Sequence, residues 1–204
     1  MLKETFINLI SKYSDDEAYN TKCWLEIEKA YSSKSRHYHN LDHLKNMLVE
    51  LEKVKSAIED IDSLLFSIFY HDIVYKATKS DNEYQSALLF EKRISKTSFS
   101  QIDKCKTQIE LTKEHKPSKD ADTNFLLDID LSILGKSSEV YKKYTEDIRK
   151  EYKIYPDFMY GKGRTKVLKS ILELKTIFKT DFFKIAYEKQ ARENLTAELS
   201  QLKA

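Results

Sequence analysis

The stretch Asp62-Ser63-Leu64-Leu65-Phe66-Ser67-Ile68-Phe69-Tyr70-His71-Asp72-Ile73-Val74-Tyr75 is apolar on almost every face of any helix drawn through Leu64 to Tyr70. A helix that is apolar all round belongs in the middle of a domain. Such helices usually exclude ionisable groups, because a desolvated charge without a partner is expensive. This one ends in two of them side by side, His71 and Asp72. The simplest way to satisfy that pair is a divalent metal, since imidazole nitrogen and carboxylate oxygen are both ligands for zinc, iron, manganese or magnesium. The plainer alternative is a capping Asp beside a hydrogen-bonded core His, so the pair has to be weighed with the rest of the chain.

Composition bounds the answer. A chain of 204 residues is long enough for one well-packed domain, or at most two small ones. Only three Gly and two Pro interrupt it, and Tyr and Phe recur three or four residues apart, which argues for an all-α protein. The expectation is a single domain over residues 1–204, with a metal-site core at about 36–135 and C-terminal helices over 137–204 packing on it. The formal charge of +2 is spread without a basic block, so no nucleic-acid partner is expected. No apolar run approaches the ~20 residues of a membrane span. Met1-Leu2-Lys3-Glu4-Thr5 runs straight into an amphipathic pattern, unlike a signal peptide. Cys23 and Cys105 stand alone within helical patterns, which fits buried thiols in a reduced, cytoplasmic protein.

Taken in order, the chain reads as helices joined by short breaks. Leu2, Phe6, Leu9, Ile10 and Tyr13 mark a first apolar stripe. Ser14 to Glu17 has capping-box spacing and opens a helix carrying Tyr19, Cys23, Trp24, Ile27 and Tyr31. A polar break at Ser32-Ser33-Lys34-Ser35 precedes Arg36-His37-Tyr38-His39-Asn40-Leu41-Asp42-His43, and the next helix buries Leu44, Met47, Leu48 and Leu51. The central helix follows, roughly Glu59 to Tyr75. Ser80 to Glu83 repeats the capping-box spacing. A helix around Phe99 to Glu114 ends near His115, before Pro117. Phe125-Leu126-Leu127-Asp128-Ile129-Asp130-Leu131-Ser132-Ile133-Leu134 is again apolar, closed by Gly135 as a C-cap. Three more helices follow, with a break at Tyr155-Pro156 and a loop at Gly161-Lys162-Gly163.

Three of the five histidines fall between His37 and His43. His39 and His43 are four apart, so on one helix they share a face and look into one cavity. Asp128 and Asp130 again put carboxylates inside an apolar segment. They are two apart, hence on different faces, and spacing alone does not say which points inward. A histidine pair, a buried His-Asp and a later buried Asp on three apolar helices together favour a metal centre over incidental surface groups.

The order His, His-Asp, Asp on successive helices resembles the HD superfamily of metal-dependent phosphohydrolases. Tyr38-His39-Asn40-Leu41-Asp42-His43 also matches the Tyr-His-Asn-x-x-His element of the related cyclic-nucleotide phosphodiesterases. Several stretches are similar to a group of small bacterial predicted HD phosphohydrolases: Arg36 to Asn40, Phe69 to Tyr75, Asp81 to Ala87, and Asp128 to Gly135, with Gly163-Arg164 and Glu193-Asn194-Leu195 later. The resemblance covers most of the chain. It implies an HD-domain-like helical bundle and a hydrolase with a divalent metal (Mg, Mn, Fe, Zn, Ni or Co), but it names no substrate.

Residue by residue, the resemblance implies that His43, His71, Asp72 and Asp130 ligate one metal, with Asp72 placed to bridge to a second. His39 would be a general acid that protonates the leaving oxygen. An alternative alignment starts from Arg36-x-x-His39, which makes His39 the ligand and sets His43 behind it. We prefer His43, because Leu44 and Met47 then follow it as packing residues. The further His pair of the phosphodiesterases has only His115 as a counterpart, so a dinuclear site is in question.

Chemically, water activated by such a metal attacks phosphorus in line while an acid assists the leaving group. Phosphate also needs cationic clamps, for which Arg36 is the first candidate, with Arg149 and Arg164 behind it. Glu83 and His115 are candidates to orient water, touch substrate or hold a second metal; for Glu83 the competing role is helix capping. The expected partner is a small phosphorylated molecule, a nucleotide or related phosphoester, with no membrane partner and a homodimer left open. Two other readings stay open: a non-catalytic HD-type metal or ligand sensor, and a helical interaction module with incidental histidines.

Overall fold

Few helix breakers and a three-to-four-residue apolar rhythm leave the backbone one way to satisfy its hydrogen bonds. The structure, a computed structural model, describes residues 1–202 and is all-α. Among the described residues there are ten α-helices: α1 (Leu2–Ile10), α2 (Glu17–Tyr31), α3 (Leu41–Val54), α4 (Ile61–Tyr70), α5 (Asn82–Ile94), α6 (Ile102–Leu111), α7 (Ala121–Leu131), α8 (Ser138–Glu151), α9 (Asp157–Leu172) and α10 (Asp181–Gln201). None is long and apolar enough to cross a membrane. The chain falls into two compact units, Met1–Leu126 and Leu127–Ala204.

In the first unit, α4 is the buried centre that its composition predicts. Leu64, Phe66, Ile68, Phe69 and Tyr70 are all fully buried. Phe6 of α1 packs edge-on against Phe69 at 5.2 Å between ring centres, and Phe90 of α5 meets Tyr70 at 5.3 Å. Removing one such ring costs about 3–5 kcal/mol. Asp60 caps α4, its carboxylate accepting from the Ser63 N–H at 3.0 Å and the Ser63 hydroxyl. Asp122, almost wholly buried, accepts from the N–H groups of Glu59 and Asp60 in turn. Cys23 and Cys105 are buried free thiols, and burial pushes both above the ordinary thiol value.

Several helix ends differ from the sequence reading. The central helix stops at Tyr70 instead of running from Glu59 to Tyr75. His71 is its C-cap, and the next carbonyls find tertiary partners instead of helical ones. Helix α2 is capped by Asp16, which accepts from the Tyr19 N–H, while Ser14 accepts from the Asp16 N–H; the Ser14–Glu17 box does not form. Asp81, not Ser80, is the N-cap of α5, and no side chain caps that helix. Helix α6 is shorter than expected at both ends, and His115 beyond it takes φ +50°, a left-handed conformation uncommon outside glycine.

In the second unit, a 3-10 turn over Ser132–Gly135 follows α7, and Asn194 of α10 donates to the carbonyls of Leu134 and Lys136, both at 2.8 Å. Gly135 is not the left-handed C-cap expected of it, since no glycine has positive φ. Its role is closeness: a Cβ there would lie 2.4 Å from the Cβ of Tyr187. The Tyr155-Pro156 break falls as expected between α8 and α9, but Gly161 and Gly163 lie inside α9 and form no loop.

Candidate metal centre

Asn40 decides where the first ligand goes. Its backbone is extended, and its Oδ1 accepts from the N–H groups of Asp42 at 2.8 Å and His43 at 3.3 Å, while its Nδ2 donates to the His37 carbonyl. That side-chain cap starts α3 at Leu41 and puts His43 in its first turn, buried and facing inward. His39 therefore precedes the helix. The expectation that His39 and His43 share one helical face does not hold, because the Asn40 cap starts the helix between them and leaves His39 outside it.

His71 enters from the end of α4. Its Nδ1 lies 2.8 Å from the Ile68 carbonyl, which requires a proton on Nδ1 and turns Nε2 toward the interior. Nε2 of His71 faces Nε2 of His43 at 3.2 Å and Oδ2 of Asp72 at 3.2 Å. The donor atoms of His43, His71 and Asp72 all lie within 4.8 Å of one another. A neutral His71 offers only a lone pair at Nε2. A cation placed among the three donor atoms could be held by all of them at once. Ligands about 2.0–2.2 Å from a shared ion sit roughly 3.0–3.5 Å apart along an edge, and both measured spacings have that size. The donor set fits a divalent metal such as zinc, iron or manganese.

The His71-Asp72 turn is held from two sides. Nη1 of Arg36 donates to the Asp72 carbonyl at 2.7 Å and to the His39 carbonyl at 3.3 Å, and its Nη2 donates to the Ile73 carbonyl at 2.9 Å. The Asp72 N–H donates to the hydroxyl of fully buried Tyr31. On the other side, the Val74 N–H donates to Ser86 Oγ, and Asn82 exchanges two hydrogen bonds with the backbone of Lys76. His39 packs against Tyr75 at a tilt of 31°, ring centres 4.2 Å apart, with Nε2 3.8 Å from Oδ2 of Asp72.

The remaining candidates have other surroundings. Asp128 is buried and satisfied: it accepts from the N–H groups of Lys179 and Thr180 and from the Thr180 hydroxyl, tying α7 to the start of α10. Burial pushes its carboxyl above the ordinary value despite those bonds, and pushes the neighbouring Lys179 ammonium down. Asp130, two residues on, is half-buried, and its charge is felt at Lys179. Asp128→Ala is accordingly expected to lower stability by about 2–4 kcal/mol through lost capping and stranded donors. Metal content should stay unchanged in that variant, which melting and elemental analysis together would read.

Arg164, expected as a phosphate clamp, forms a bidentate pair with Glu198 at 2.7 and 2.9 Å beside Tyr141 and Tyr144. Arg149 is likewise engaged, with Asp157 and the carbonyls of Tyr152 and Tyr155. Glu83 is half-buried in the first turn of α5, and His115 is half-buried in the bend after α6; neither belongs to the His43–His71–Asp72 group. A cleft of about 340 Å³ in the first unit is lined by Met1, Leu9, Leu48 and Leu65 with Lys12 and Glu52, and contains none of the histidines.

No family model matches the chain, and neither a curated protein nor a solved structure is significantly similar to it. Sequence reasoning missed Tyr31, Asn82 and Ser86 as supports of the turn. Tyr31 was indistinguishable from a core stripe residue, and a Ser or Asn inside a helical pattern carries no sign of the loop it will bond.

Proposed function

We propose that the chain is a metal-dependent phosphohydrolase acting on a small phosphorylated compound, a nucleotide or related phosphoester. The observation that carries this reading is the convergence of His43 Nε2, His71 Nε2 and an Asp72 oxygen, with the His71 tautomer set by the Ile68 carbonyl. The HD-like order of motifs supports it. A divalent metal bound there supplies charge neutralisation for the phosphoryl oxygens and lowers the pKa of water from about 15.7 towards ~7. The chain's own residues do the rest. Asp72 holds one oxygen toward His39, whose imidazole would carry the proton destined for the leaving oxygen. Arg36 and Tyr31 keep the Asp72 backbone still while this happens.

The test is elemental analysis of the purified protein coupled to a phosphate-release screen over nucleotides and sugar phosphates. Stoichiometric divalent metal with phosphate release supports the proposal. Metal without turnover on any substrate would select the sensor reading instead, and absence of both would select the interaction module.

A further inference from the structure

Arg36 is buried, yet its guanidinium bonds run to main-chain oxygens: His39, Asp72 and Ile73. Its Cζ also lies over two rings, 4.9 Å from the centre of Tyr31 and 5.5 Å from that of Tyr75. Tyr75 in turn packs at a tilt against His39. Contacts thus run from Tyr31 through Arg36 and Tyr75 to His39, whose Nε2 lies 3.8 Å from the Asp72 carboxylate. The same guanidinium thus grips the segment before α3, the turn after α4, and, through Tyr75, the imidazole of His39. A planar fork with several donors can do this; a point charge cannot.

We infer that Arg36 is a positioning residue that staples the His71-Asp72 turn to the His39 segment, and not a clamp for the substrate's phosphate. The inference deepens the metal-centre reading and rests on it for its effect on metal and turnover. A staple acts before any ligand arrives, by holding Asp72 in the spread that lets it share an ion with His43 and His71. A clamp acts on the substrate alone.

Two variants and two readouts separate these. In Arg36→Lys the charge stays, but the planar fork that reaches the carbonyls from two separate nitrogens and faces the tyrosine rings is lost. In Arg36→Ala the fork is gone, and added guanidinium ion can occupy its place. The first readout is Co2+ affinity, taken from the visible absorption of the bound ion in competition with a chromophoric chelator. The second is amide hydrogen exchange of the peptide spanning 71–76, compared with peptides from α5 and α6. Residues that orient metal ligands typically contribute 10–100-fold in affinity. The expected result is Co2+ binding weaker by about that factor in both variants, partly restored in Arg36→Ala by guanidinium. Faster exchange should be confined to 71–76.

Unchanged Co2+ affinity with a raised KM would overturn the staple and restore Arg36 as a clamp. If Arg36→Ala does not fold, Arg36→Lys alone decides by the same criteria. If the wild-type protein binds no Co2+, the metal reading fails separately, and exchange still decides: unchanged exchange at 71–76 in Arg36→Lys overturns the staple.

Discussion

His71→Ala and Asp72→Ala are each expected to purify without stoichiometric metal and to lose phosphohydrolase turnover to background. Both side chains sit at the point where the buried helix α4 ends, and each contributes one of the three donor atoms that converge there. Losing His71 also removes the ring whose Nδ1 is anchored on Ile68 and whose Nε2 is thereby held inward. Losing Asp72 removes the only anion among the three donors, leaving two neutral imidazoles to hold a dication. Outer partners of metal ligands already cost about 10–100-fold in affinity when removed, and a ligand itself should cost more. Helicity by circular dichroism checks that the fold survives, since the backbone of the turn keeps its bonds from Arg36 and to Tyr31. Full metal occupancy in both variants would sink the assignment.

The second large effect separates His39 from His43. His43→Ala should lose metal, because its Nε2 lies 3.2 Å from His71 Nε2. His39→Ala should keep metal and slow turnover by about 10²–10⁴-fold, the usual contribution of a general acid. That slowing should shrink for nitrophenyl phosphates, whose leaving group departs without a proton. Structural collapse is not expected from His39→Ala, because the residue precedes the Asn40 cap and α3 starts without it. Metal content and leaving-group dependence, measured on both variants in parallel, provide the check. Metal lost from His39→Ala but kept in His43→Ala would reverse the roles and select the alignment that begins at Arg36.

How much of this could be read from the chain differs between elements and site. The all-α class, the burial of α4, the free buried cysteines and the helix break at Pro156 were legible, because each follows from composition or from local backbone chemistry. The Asp128-or-Asp130 ambiguity was not. Period-3.6 spacing says that the two face different ways, but only the approach of Lys179 and Thr180, about fifty residues later, shows that Asp128 is already spent on backbone donors. The pairing of Arg164 with Glu198 was illegible for the same reason, since the two are distant in sequence. Arg36 was noticed as a cation, but the carbonyls it binds belong to a turn that helical propensity had continued to Tyr75.

What the sequence determined by itself was the set of elements and the anomaly within them: apolar helices that carry His and Asp where charge is costly. That information is local, written in side-chain chemistry and short-range spacing. What only the tertiary structure decided was which of those groups meet and how the backbone around them is held. Asn40 starts a helix between two histidines, Arg36 and Ser86 hold the turn where another one stops, and the Ile68 carbonyl chooses a tautomer. Each of these is one hydrogen bond competing with the helical one or orienting a side chain. The Arg36 and Ser86 bonds join residues far apart in the chain, so folding alone supplies the competitor; the Asn40 and Ile68 bonds are local, and geometry decides whether they form.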